Sequence, residues 1–160
     1  MNSPLAFDSL RTKAVFQLKR SSNVIWNEQE KAVIQGALDG EDWVGSIAAA
    51  VVVSLEKESQ FPKALSLLQW TIQQEKVPIF VELLTFEALT SLCGPQLVDI
   101  AEPVMVFSRR SCISRRINLD NTIVVLGRLK ASGNREATEL IDDLSEDIDL
   151  AVRNQARCFL

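Results

Sequence analysis

The chain has 160 residues, of which 47% are hydrophobic and 24% charged, with six Gly and five Pro; this is a globular composition and excludes a disordered or collagen-like chain. Such a length hides about two thirds of the unfolded surface from water, which suits a single domain over 1–160. A formal net charge of −4 speaks against a broad basic nucleic-acid face, and the absence of any histidine removes Ser-His and Cys-His nucleophiles, imidazole acid-base work and most zinc chemistry.

Apolar positions recur at spacings of three and four almost throughout, the period of a helix with one buried face. Pro4 opens a first helix to about Lys19, with Leu5, Leu10, Ala14, Val15 and Leu18 on one side. Asn27 followed by Glu30 has the form of a capping box and starts a second helix that Gly40 stops. A third runs from about Asp42 to Glu58, Pro62 starts a fourth ending near Lys76, and Pro78 starts a fifth that Gly94 ends. Pro95 opens a sixth, an arginine-rich loop follows, and Asn118 or Asp120 caps a seventh helix through Lys130, closed by Gly133. Asn134, with Glu136 and Ala137, begins an eighth, and a ninth reaches the C-terminus.

The longest apolar run, Ile47 to Val53, has seven residues, against about 20 for a helix that spans a bilayer. Asp8, Arg11 and Lys13 come before any apolar run, unlike a secretory signal. Three cysteines, Cys93, Cys112 and Cys158, are odd in number and widely spaced, as reduced thiols are. The expectation is a cytoplasmic protein without membrane span, cofactor or metal.

An internal pattern recurs: apolar, three residues, small, three residues, apolar. It falls on Val44, Ala48 and Val52, on Val81, Thr85 and Leu89, more poorly on Asn118, Thr122 and Leu126, where the first position is polar, and on Val152, Ala156 and Leu160, at offsets of 37, 37 and 34 residues. The last copy, in "EDIDLAVRNQA" with Asp147, Val152, Arg153 and Ala156, resembles a HEAT-type repeat, in which two antiparallel helices meet at an acidic turn followed by Val-Arg. The resemblance implies an all-α, short HEAT-like stack of about four antiparallel helix pairs plus an N-terminal helix. The arginine of that motif is replaced by Gly45, Glu82 and Leu119 in the other copies. An antiparallel helical bundle would produce similar spacing and is the alternative.

Charge is polarised along the chain. Residues 41–100 hold 3 basic and 8 acidic side chains, 101–130 hold 6 and 2, and 131–160 hold 3 and 7. "SRRSCISRR", Ser108 to Arg116, packs Arg109, Arg110, Arg115 and Arg116 around Cys112. If turns line up along one edge of a stack, this loop lies beside the acidic turn of Glu146, Asp147 and Asp149, and the arginines are answered by those carboxylates or by backbone carbonyls. Cys112 reads as an incidental loop thiol, its activated form being the rival. Trp70 reads as core, Trp26 as packing beside a cap, and Trp43 as partly exposed after the turn of Glu41 and Asp42.

These features describe a non-catalytic protein-binding module. Its candidate contact residues are Glu41, Asp42, Trp43, Arg109, Arg110, Arg115, Arg116, Asp143, Glu146, Asp147 and Asp149. The expected partner is a basic protein, a toxin domain being one such, because a small acidic chain without catalytic equipment is similar to bacterial immunity proteins that act as toxin inhibitors. Two rivals stand beside this reading: nucleic-acid binding through Arg109 to Arg116, and carboxylate chemistry at Asp142, Asp143, Glu146 and Asp147, where helical spacing would set Asp143 and Asp147 on one face.

Overall fold

Every regular element of the computed structural model, which describes Val15 and residues 27–40, 42–55 and 60–160, is helical. The all-α class expected from the apolar period is therefore the class the chain adopts. The expected first helix and Trp26 lie outside the described residues apart from Val15, which is helical and fully buried. The chain divides into two compact units, one ending at Ser91 and the other running Leu92–Leu160.

The first unit contains α1 (Glu28–Leu38), α2 (Trp43–Ser54), α3 (Phe61–Gln73) and α4 (Ile79–Leu89). The capping box at the start of α1 is closed: Asn27 Oδ1 accepts from the Glu30 N–H at 2.9 Å, and Glu30 Oε2 accepts from the Asn27 N–H at 2.8 Å. α2 is apolar all round, and Val44 through Val53 are all buried. A helix of that kind must be wrapped by others, and α1, α3 and α4 all pack on it. Its one polar interior group, Ser46, shares a hydrogen bond of 2.7 Å with the Thr71 hydroxyl of α3, so neither hydroxyl is stranded in the core. Trp43 rests against Trp70 with ring centroids 5.7 Å apart. Both rings are half-buried, which corrects the core placement of Trp70.

The second unit contains α5 (Gly94–Asp99), α6 (Ala101–Arg110), α7 (Asp120–Ala131), α8 (Arg135–Leu144) and α9 (Leu150–Arg157). The sixth helix expected from Pro95 is two helices, broken at Ile100. Pro103 has no N–H, and its ring would strike the carbonyl four residues back, at Asp99, so an uninterrupted helix cannot pass. α7 is the central element, with Ile123, Leu126 and Leu129 fully buried. It begins without the cap expected from Asn118 or Asp120: Leu119 occupies the cap position with no side-chain bond, and Asn118 is left-handed at φ 46°.

The end of α7 follows the sequence closely. Gly133, at φ 86°, turns the chain left-handed while the Gly133 and Asn134 N–H groups donate to Lys130 and Leu129 carbonyls at 2.9 and 3.0 Å. Asn134 Oδ1 then accepts from the Ala137 N–H at 2.9 Å and starts α8. α8 and α9 pack together across the acidic turn of residues 145–149. Of the recurring apolar positions, Asn118 is not helical and Leu160 is 66% exposed; the other outer positions are buried or half-buried.

Gly45 is required by a close approach. A Cβ there would press into the backbone carbonyl oxygens of Gly40 and Ala37 and onto Leu67, and backbone cannot step aside as a side-chain tip can. Gly45→Ala is expected to lower stability by about 2 to 3 kcal/mol, read as a shifted urea midpoint. Gly127→Ala, whose nearest obstacle is the half-buried Phe159 ring, a side chain instead of backbone, should cost distinctly less.

Candidate protein-binding edge

The contact residues expected from the sequence divide between the two units. In the first, Asp42 is a helix cap whose Oδ1 accepts from the Gly45 N–H at 2.7 Å, and Trp43 is engaged with Trp70. Glu41 lies outside the described residues. All the others belong to the second unit.

The arginine-rich segment is not a loop. Arg109 and Arg110 form the last turn of α6, and Ser111–Arg115 continue as one π-helical turn, closed by the Arg116 N–H donating to the Ser111 carbonyl at 2.8 Å. Arg116 then turns left-handed at φ 49°, so its side chain folds back. One guanidinium nitrogen donates to the Cys112 carbonyl at 3.0 Å, and the other donates to Asp147 Oδ1 at 2.7 Å. Arg116 thus ties the π turn to the turn between α8 and α9, thirty-one residues later.

Asp147 is well answered. Its side chain is only 12% exposed, and it also accepts from the Asp149 N–H at 2.9 Å. Burial pushes its pKa up, but the Asp149 N–H, the bonded Arg116 and the charge of Arg153 outweigh burial and hold the carboxyl below its usual range. Arg153 and Arg157, one turn apart on α9, donate to the Asp147 and Ser145 carbonyls at 3.3 and 3.0 Å. Arg153 was read from the sequence only as the arginine of the recurring motif and Arg157 was not singled out, although their spacing of four places both on one helix face.

The remaining arginines fare differently. Arg109 reaches Glu136 at 3.4 Å, a half-exposed pair of little energetic weight. Arg110 lies over the Phe107 ring at 5.3 Å, and Arg115 is half-buried. Asp149 is spent on capping α9, accepting from the Ala151 N–H at 2.8 Å instead of meeting an arginine. Glu146 pairs with Arg157 at 3.4 Å, and Asp143 is exposed. Asp143 and Asp147 do not share a helix face, because α8 ends at Leu144. Among the described residues no group of three His, Cys, Asp or Glu could hold a metal ion.

Cys112 is buried, and burial raises its thiol pKa to about 12 against the opposing charge of Arg116, with Asp147 adding to the rise. The arginines around it therefore do not make it a thiolate. Within three positions of Arg116 or Asp147 in the chain, four apolar residues are open to water: Ile113 is 65% exposed, Ile117 45%, Ile148 96% and Leu150 58%. Their identities are plain in the sequence; their exposure is a tertiary fact. No described helix is long and apolar enough to cross a membrane. Comparison of the chain with protein-family models, curated proteins and solved structures finds no match.

Asp147→Asn should lower stability by about 1 to 2 kcal/mol near neutral pH, the part-exposed Arg116 screening the loss. A depressed folded pKa gives stability that is present above the unfolded value, about 3.9, and is lost as pH falls through the folded value. The gap between wild type and variant should therefore close in acid, which urea titrations at neutral pH and at about pH 3 would read. Thiol titration with an aromatic disulfide reagent should label the exposed Cys93 and Cys158 quickly. Cys112 should react only on the timescale of unfolding.

Proposed function

We propose that the protein is a non-catalytic binding module of the inhibitor or immunity type that docks a basic partner protein, such as a toxin domain, in the cytoplasm. The carrying observation is the group of exposed Ile113, Ile117, Ile148 and Leu150 beside the Arg116–Asp147 junction. Scattered surface apolar residues are ordinary, but several on two segments that one ion pair joins, interspersed with charge, match the make-up of an interface. Exposed Asp143, Glu146 and Asp149 on the α8–α9 side would steer a basic partner and fix its register. A HEAT-like stack remains our reading of the architecture, supported by the packing of α8 on α9 at the acidic turn.

Nucleic-acid binding through Arg109 to Arg116 has less support. Arg109 and Arg116 already face Glu136 and Asp147, so phosphates would first have to displace those carboxylates.

The test is affinity capture from the native host with tagged wild type and an Ile148→Lys, Leu150→Lys variant, washed at low and moderate salt. The expected result is one stoichiometric basic protein held by wild type and weakened at least about tenfold by the double substitution, as loss of anchor residues does. Salt-labile nucleic acid recovered without a protein would overturn the proposal.

A further inference from the structure

We infer that the second unit carries a separate acceptor groove for a lysine or arginine side chain of a basic partner segment, at the corner where α5 meets α6 opposite the start of α8. The inference takes the partner's positive charge from the reading above and places its recognition on residues that reading does not use.

The groove has a volume of about 600 Å³, within the range of small-ligand sites and ample for one long side chain with its neighbours. Its existence follows from the break at Ile100. Because Pro103 stops α5 from running on, the chain turns and leaves a concave corner instead of a continuous helix surface. Val98, Pro103 and Met105 supply apolar lining, Met105 buried at 3% exposure and Val98 left 50% exposed.

The rim is acidic. Asp99, Glu102 and Glu136 line the groove, and Arg135 is the one cation that does. Arg135 is turned along its own helix, donating from Nε to Glu139 at 3.0 Å, while Glu136 is met by Arg109 at 3.4 Å. That leaves Asp99 and Glu102, both exposed, as carboxylates without an ion-pair partner among the described residues. A groove lined by both apolar side chains and carboxylates without ion-pair partners fits a side chain that is aliphatic along its stem and cationic at its tip. An acidic or purely apolar segment would leave one half of the groove unanswered.

The test uses a fluorescein-labelled peptide of alternating lysine and leucine and its glutamate and leucine counterpart, followed by anisotropy with the intact protein. The proteins are wild type, Asp99→Asn with Glu102→Gln, and Ile148→Lys, all of which alter exposed side chains, with melting curves to show that each is folded. We expect the lysine peptide alone to bind wild type, the groove variant to weaken it at least about tenfold by loss of both carboxylates, and Ile148→Lys to leave it unchanged. Equal binding to wild type and the groove variant, no preference for the lysine peptide, or weakening by Ile148→Lys alone would each overturn the groove. Capture from the host separates the two ideas. A basic protein lost from the Ile148 and Leu150 variant but kept by the groove variant overturns the groove and leaves the proposed function. Groove-dependent peptide binding with no host protein captured does the reverse.

Discussion

A carboxylate withdrawn from water has to be met by cations or N–H groups, and the second unit is arranged around meeting one, Asp147. Arg116 reaches it from the π turn, the Asp149 N–H reaches it from within its own turn, and Arg153 braces the Asp147 carbonyl from α9. The π turn, thirty-one residues earlier, and the start of α9 are thereby fixed to one turn. The isoleucines and leucine beside that point are displayed because their neighbours are held; a loose turn would let Ile148, at 96% exposure, collapse onto whatever apolar surface it could find. The same arrangement engages part of the arginine-rich stretch within the protein. Arg109 and Arg116 are already engaged by Glu136 and Asp147 at the surface, where a partly exposed ion pair fixes geometry more than it adds stability.

Local chemistry was legible in the sequence at several element ends where the cause lies within about four residues of the effect, though not at Asn118 and Asp120, where the expected cap of α7 did not form. The Asn27 and Glu30 box, the Gly133 stop and the Asn134 start all depend on near neighbours, and all stand where the residue types place them. Pro103 is subtler, since it acts four residues back, at Asp99, and reading only its own position hides the break. The π turn has no residue signature in "SCISR"; it depends on Arg116 adopting a left-handed backbone and folding back onto the Cys112 carbonyl. Arg109 meeting Glu136 across twenty-seven positions is a long-range fact that local patterns do not carry. The groove at Ile100 escaped for the same reason as the break that creates it.

The departures from the recurring motif also have physical causes. Where the last copy has Arg153, the first has Gly45, and a side chain there would run into the Gly40 and Ala37 carbonyls. At the third copy the corresponding residue is Leu119, buried at 4% exposure at the start of α7, and an arginine would be buried with it. In the last copy Arg153 instead donates to the Asp147 carbonyl at 3.3 Å.

The unevenness of burial along the helices bears on how the molecule opens. α2 has ten consecutive buried residues, whereas α9 buries only Ala156. Backbone amides in the middle of α2 can meet water only when the first unit comes apart as a whole, while those of α9 can exchange through fraying that leaves the rest of its unit intact. Yet α9 supplies Arg153 and Arg157, which brace the turn carrying Ile148. The proposed docking edge is therefore seated partly on a lightly buried helix, and a partner that grips it would also slow hydrogen exchange in α9 by suppressing the opening. Binding and local order are coupled there through the free energy of one short helix.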